Sequence, residues 1–311
     1  MEGTNIAGGS SIEEILRAHA LWMRSESGEG RCILDGATLN GLNLTGSDLR
    51  SAIIRGTTLL DAELSDGNLG KAIIDAADFQ RALLGSIDFT EARISGSDFG
   101  FSWMDEAALS DAEIRNSGFR KSNLRRARFQ GALIESCKFL EANLSAVSFH
   151  HSRINLCDFS ESCFPDAQFV RAQITGSRFR AANGPDANFS SCRLKACDFA
   201  TADLARARFM RADLRGSQLD RARLKEADLR EAQLGSVILC RADLTGARFG
   251  GAVLFGADLR GADLTGAREL TSQQLTQART DQDTILPNGS RGPYRRYSGA
   301  ERAQLANNLV R

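Results

Sequence analysis

Between Leu34 and Leu264 the chain places a large apolar residue at every fifth position without one slip of register. Forty-seven positions belong to this series, and all hold Leu, Ile, Phe or Met except Gly184. Two residues before each there is nearly always a small side chain, as at Ala37, Ser47, Ala52 and Ala62, and Asp or Asn often stands between the two. A period of five suits neither regular element. Five steps of α-helix turn through about 500°, spiralling the apolar positions around every side. On a continuous strand an odd spacing sends alternate ones to opposite faces. The pattern is satisfied if the chain bends once per unit, with the small and central residues pointing inward together. The other three positions, rich in Gly, Asp, Asn, Ser and Arg, then face solvent and make the corner.

A second period closes the circuit. Sampling every twenty residues sorts the central positions by type: Ile54, Ile74, Ile94, Ile114, Ile134, Ile154 and Ile174 form one column, and every twentieth residue from Phe79 to Phe199 forms another. Sampling every fifteen mixes them. Like residues therefore stack when four units make one coil, and coils repeat at about the 4.8 Å strand spacing. The forty-seven units predict nearly twelve coils, a square rod about 55 Å long at that spacing. Handedness is not contained in the period.

These A(D/N)LXX units, exemplified by Ala77-Asp78-Phe79 and Ala142-Asn143-Leu144, resemble the pentapeptide-repeat family over residues 32–266. The resemblance implies an all-β solenoid, a right-handed quadrilateral β-helix of about twelve coils with a core one side chain deep. Such a fold escapes the usual limit on core size, because each coil touches only its neighbours.

Open solenoid ends need covering, which divides the chain into an N-terminal helical cap (1–31), the β-helix (32–266), a C-terminal helical cap (267–287) and a flexible Arg-containing tail (288–311). In the first cap, Ser10 with Glu13 or Ser11 with Glu14 supplies a capping box, and Ile12, Ile15, Leu16, His19 and Trp22 or Met23 recur at helical spacing. Thr271 to Gln274 opens the second helix, with Leu270, Leu275 and Ala278 facing the last coil. The tail is a flexible end or an arm that orders on a partner, with a weak helix near 299–310. Gly184 leaves a hole costing a few kcal/mol if unfilled. Either the ring of Phe164, one coil earlier, leans into it, or the corner widens at Pro185. Cys32, Cys137, Cys157, Cys192 and Cys197 occupy inward small positions at spacings that are multiples of five, so they read as core filler rather than zinc ligands. Cys137 and Cys157 stack on adjacent coils, within reach of an oxidative bridge.

Composition removes several function classes. No apolar run approaches the roughly 20 residues of a membrane helix, the start of the chain lacks a secretory pattern, and seven cysteines suit reduced thiols in a cytoplasmic setting. Net charge is zero, which gives no global pull toward nucleic acid or anionic lipid. Three histidines, two of them the outward pair His150-His151, are too few for most metal or acid–base constellations. A filled solenoid offers no water-excluding pocket. No enzyme, cofactor, metal or membrane partner is expected, and nucleic acid only as a minor reading through the arginines of 115–128.

Function is thus expected on the surface. Residues 1–110 hold 17 acidic and 8 basic side chains, the remainder 22 and 31. The candidate acidic surface is Asp61, Glu63, Asp66, Asp75, Asp78, Asp88, Glu91 and Asp98; the candidate basic surface is Arg115, Arg120, Lys121, Arg125, Arg126 and Arg128. This polarity predicts weak head-to-tail association that is lost by about 0.3 M salt, leaving a homo-oligomer open. Ile33, Ile53 and Ile73 fill an outward position on successive coils, Leu83 and Trp103 stack on an adjoining face, and Phe101 lies between Arg81 and Lys121 in its column. Exposed apolar area of this kind calls for a partner or a covering segment, here another molecule or the N-terminal segment. The resemblance implies a non-catalytic protein–protein interaction scaffold, an assembly factor or an effector exported without a cleaved signal. Its alternative is a DNA mimic of the family's quinolone-resistance group, which engages DNA gyrase or topoisomerase IV and protects it from poisons.

Overall fold

The computed structural model describes residues 11–25 and 30–303. The chain folds as a parallel β-solenoid with two short helices. Among the described residues, nine three-residue strands recur every twenty positions from Ile33 to Lys195, marking about eight turns. Two compact units divide between Cys163 and Phe164.

The first unit carries β1 (Ile33–Asp35), β2 (Ile53–Arg55), β3 (Ile73–Asp75), β4 (Arg93–Ser95), β5 (Glu113–Arg115), β6 (Leu133–Glu135) and β7 (Arg153–Asn155). Each pairs in parallel with the next, and Ile54, Ile74, Ile94 and Ile114 sit in register as the twenty-residue period requires. The Ile column coincides with these extended strands, where a β-branched side chain loses least. Elsewhere around the circuit single bridges hold the coils, such as Thr58↔Asp78, Glu63↔Leu83 and Asn68↔Asp88.

The corner chemistry explains the polar positions. The second residue past each central one takes the left-handed region, as at Arg81 (φ 59) and Lys121 (φ 55). That conformation costs roughly 1–2 kcal/mol for a residue bearing Cβ. It is offset because the backbone N–H there is bonded to the next coil, Arg81 N donating to Gly100 O at 3.0 Å. The Asp or Asn before the central residue accepts the N–H two residues on, as Asp88 does from Thr90 at 2.8 Å and Asp98 from Gly100 at 2.8 Å. These carboxylates close the turn as well as facing solvent.

Inside, Phe79, Phe99, Phe119, Phe139 and Phe159 stack face to face with centroids 4.6–5.0 Å apart. Phe89, Phe129 and Phe149 meet that column edge-on, the two geometries ring quadrupoles favour. Cys137 and Cys157 do more than fill space. They continue a ladder of inward donors in which Ser117 Oγ reaches Arg115 O at 2.8 Å, Cys137 Sγ reaches Glu135 O at 3.3 Å and Cys157 Sγ reaches Asn155 O at 3.3 Å. A hydrogen bond donated toward the Cys137 sulfur, together with burial, pushes the Cys157 thiol up.

Helix α1 (Ile12–Ser25) precedes the first coil. Its capping box is Ser11 with Glu14, each side chain accepting the other's backbone N–H; Ser10, the other candidate cap, lies outside the described residues. His19 is fully buried, its Nδ1 accepting the Cys32 N–H at 3.0 Å. Trp22 stacks on the imidazole at 5.5 Å, under the Arg31 guanidinium. Burial lowers the His19 pKa, which fixes the neutral form that the Cys32 bond needs.

In the second unit β8 (Gln173–Thr175) pairs with β9 (Arg193–Lys195), and beyond Lys195 the ladder continues through bridges such as Asp203↔Arg223 and Asp243↔Asp263. At Gly184 the ring of Phe164 occupies the space a side chain would take. That ring meets Phe169, Phe179 and Phe189 edge-on. The corner at Pro185 does not widen: Gly184 N still donates to Asp203 O at 2.8 Å and Asp186 N to Ala205 O at 2.9 Å. Helix α2 (Ser272–Gln277) opens on a Thr271–Gln274 capping box. The Gln274 amide also donates to Phe249 O and Ala252 O, both at 2.9 Å; Ala252 O thereby gains the partner that a further coil would supply, while Phe249 O also accepts the Ala252 N–H. Residues 280–301 fold back: Thr284 Oγ1 donates to Leu259 O, Ile285 bridges Asp263 and Arg291, and Tyr294 Oη lies 2.7 Å from Ser272 Oγ. The weak helix expected near 299–310 falls mostly outside the described residues.

Candidate interaction surfaces

Among the described residues, no three His, Cys, Asp or Glu gather as a metal site, and no helix is long and apolar enough to cross a membrane. The concavities are open surface grooves, one of about 610 Å³ lined by Lys71, Ile73, Glu91, Arg93, Asp111 and Glu113. What departs from a uniform polar surface is a small set of apolar side chains.

Ile33 is 52% exposed, while Ile53 and Ile73 in the same column are half-buried. The described part of α1 leaves Ile33 open; it packs instead at Cys32 and Gly30, where Ala18 and Trp22 approach. Leu83 and Trp103 are in register with each other, 46% and 54% exposed. They do not adjoin the Ile column as the sequence suggested. Leu83 stands ten residues beyond Ile73, half of a twenty-residue circuit, so the two apolar groups lie on different sides of the coil. Phe101, 51% exposed, shares the Trp103 side, with only the buried Ser102 between them. Lys121 Nζ sits 5.9 Å from the Phe101 ring, one step along the same column.

The acidic candidates are distributed around the coil rather than gathered on one face. Asp61 pairs with Arg81 at 2.7 Å, Glu91 lies 3.9 Å from Lys71, and Asp75 accepts the Ser95 hydroxyl at 2.5 Å. Asp78, Asp88 and Asp98 close turns, and Glu63 and Asp66 make no ion pair among the described residues. The basic candidates are mostly neutralised by their neighbours. Arg115 bridges Glu113 and Glu135, Arg120 and Lys121 share Glu141, Arg125 meets Asp105, and Arg126 meets Asp105 and Glu106. Arg128 makes no ion pair among the described residues. The hydrogen bonds from Arg120 and Lys121 hold the Glu141 carboxyl below the usual range.

Sequence reading passed over a second apolar site. Phe255 is 70% exposed, beside Val253 on the same outward side, and Leu156 stands exposed at a left-handed corner. The signal was present: Phe255 immediately follows a central Leu, where the repeat usually places a polar residue.

No curated protein matches the chain. Among solved structures, it is similar to HetL, a pentapeptide repeat protein involved in heterocyst differentiation regulation from the cyanobacterium Nostoc sp. strain PCC 7120, at 24% identity over 91% of this chain and 99% of that one, TM-score 0.26. It is similar to a pentapeptide repeat protein of the Arabidopsis thaliana thylakoid lumen at 32% identity, over 33% of this chain and 70% of that one, TM-score 0.32. It also matches QnrB1, a plasmid-mediated fluoroquinolone resistance protein, at 19% identity over 71% of this chain and 88% of that one, TM-score 0.36. Pentapeptide repeats match in 8 copies, over residues 32–70, 122–160, 142–180, 186–217, 202–246 and 239–268. With more than half its length matched and the twenty-residue ladder in place, the chain belongs to the pentapeptide-repeat family.

Proposed function

We propose that this protein is a non-catalytic protein–protein interaction scaffold, built as a right-handed quadrilateral β-helix of about twelve coils and working in the cytoplasm. The observation that carries the reading is the contrast on its surface. Many Asp and Asn side chains are spent on turns and a large share of the arginines on neighbouring carboxylates, while Leu83, Phe101 and Trp103 remain about half exposed. Apolar area left open on an otherwise self-satisfied surface favours a partner. The test is affinity capture with the full chain against a Leu83→Ser, Phe101→Ser, Trp103→Ser variant. A stoichiometric protein partner held by the wild type and released by the variant supports the scaffold; equal capture by both, or none by either, overturns it.

A second reading, binding to DNA gyrase or topoisomerase IV as a DNA mimic, is favoured by Glu63, Asp66, Asp78 and Asp98, acids without an ion pair among the described residues. A gyrase supercoiling assay with a fluoroquinolone tests it: rescue by the protein supports it and inertness removes it.

A further inference from the structure

We infer that the corner formed by Leu83, Phe101 and Trp103 docks a basic, apolar segment of a partner protein: a bulky aliphatic or aromatic anchor with Lys or Arg on its flank. This rests on the scaffold reading and names the chemistry of the partner. Leu83 and Trp103 stack in register. Nothing on Gly85 or Gly100 shields them, and Trp103 Cδ1 lies about 4.0 Å from where a Gly85 Cβ would stand. Phe101 projects from a left-handed corner at φ 60, two residues before Trp103, and is 51% exposed. The result is one apolar surface with three contributors, a size suited to a single buried anchor.

Charge selects the occupant. Most bases near this corner are already matched, Arg81 by Asp61 and Arg125 with Arg126 by Asp105 and Glu106, while Arg120 and Lys121 share the single carboxylate of Glu141 and leave one positive charge over. Four acids have no ion pair among the described residues. Glu63 precedes Leu83 in its own column, Asp66 follows three residues later, Asp98 lies three residues before Phe101, and Asp78 stands in register behind it. Those carboxylates leave the corner with a net negative field that attracts cationic side chains and repels acidic ones. Two coil steps separate Glu63 from Trp103, about 10 Å at the strand spacing, which an extended chain covers in about three residues. The anchor and its flanking base therefore belong about three residues apart.

The probe is a fluorescein-labelled peptide with a central Phe-Leu pair and two Lys at each end, compared with versions carrying Glu at the ends or Ser-Ser at the centre. Anisotropy reads binding to the full chain, and Trp103 emission reports locally. The Lys peptide is expected to bind, to weaken at least about threefold between roughly 0.05 and 0.3 M salt as screening lengths shorten (about 14 to 6 Å), and to perturb Trp103. Glu63→Lys with Asp66→Lys, and separately Phe101→Ser, should each weaken it about tenfold with unchanged far-UV dichroism. Equal binding of the Glu peptide, indifference to Phe101→Ser, or no binding at millimolar peptide overturns the assignment. So does sedimentation in which the wild type self-associates and Phe101→Ser does not, because a second copy then occupies the corner. A chain that fails with the peptide yet holds another protein loses this assignment and keeps the scaffold reading. One that binds the peptide here and forms no protein complex loses the scaffold reading alone.

Discussion

Phe164 and Gly184 should behave as one residue split between two positions. Each sits at the centre of a repeat unit, one coil apart, and one ring serves both. Phe164 is fully buried, so truncation to Ala should cost about 3–5 kcal/mol, and Phe164→Leu, which keeps part of the volume, about 2 kcal/mol. Gly184→Leu alone places a Cβ inside the Phe164 ring, its nearest neighbours being Cε2, Cδ2 and Cζ. Overpacking of that kind costs about 1–3 kcal/mol. The double variant restores the uninterrupted repeat: each introduced leucine fills its own coil, and neither has to reach into the next. The backbone permits this, since Gly184 is not among the residues in the left-handed region. The single costs sum to about 4 kcal/mol, whereas the double should lie within about 1 kcal/mol of the wild type, a coupling of about 3 kcal/mol at the upper end for residues in contact. Urea unfolding followed by far-UV dichroism measures this through the midpoint, with the slope checked for constancy. If the double variant loses the sum of the two single losses, the shared-ring account is wrong.

His19 is neutral and buried with a lowered pKa, so its contribution to the α1 cap is complete above its ordinary 6.5 and is lost as the pH falls below that value. Asp48, Arg31 and Arg50 face it electrostatically. The protection factor of the Cys32 amide, its exchange rate corrected for the intrinsic pH dependence, should therefore fall on acidification, and His19→Leu should remove that fall. In the second unit the hydrogen bond from Arg260 holds the Asp258 carboxyl at about 2. Its carboxyl carbon should titrate near that value by NMR and return toward 3.8 in Arg260→Gln; an unchanged titration refutes the pairing. Thiol reagents should label the half-buried Cys163 and Cys240 well before the five buried cysteines, with mass spectrometry as the readout. Ser117→Ala removes the donor to Arg115 O and the acceptor of Ser97 N–H, and should cost about 1 kcal/mol in thermal or urea melts.

The solenoid was legible because its physics is periodic. A residue that must point inward every five positions and find its own kind every twenty leaves no competing arrangement, and Ile74 over Ile94 follows from that alone. The filling of Gly184 was legible for the same reason: a defect in a perfect series has only its neighbours to compensate it. Surfaces were less legible. Counting charges separated an acid-rich stretch from a base-rich one, but Arg125 and Arg126 reach back one coil to Asp105 and Glu106, a pairing set by side-chain length and corner geometry rather than by sequence distance. Placing Leu83 beside the Ile column was an error of phase, since half a circuit was counted as an adjoining side.

The repeat also decides where specificity has to reside. Many of its Asp and Asn side chains are committed to turns, and a large share of its arginines settle on carboxylates two residues or one coil away, as in Arg230 with Asp228 and Arg206 with Asp186. Exposed pairs of this kind add little stability, about 0–1 kcal/mol each, yet they cancel local fields and leave most of the surface without a distinguishing charge. A partner reading only the regular positions would find every coil alike. Recognition must then fall on residues that the repeat neither requires nor satisfies: the acids Glu63 and Asp66, and the large apolar side chains at outward sites. Leu83, Phe101 and Trp103 combine both kinds of departure in one place, whereas Phe255 and Val253 offer apolar area beside Gly235 and Gly256. Substitutions at regular outward arginines should therefore leave partner binding nearly unchanged, while a single polar replacement at Phe101 should not.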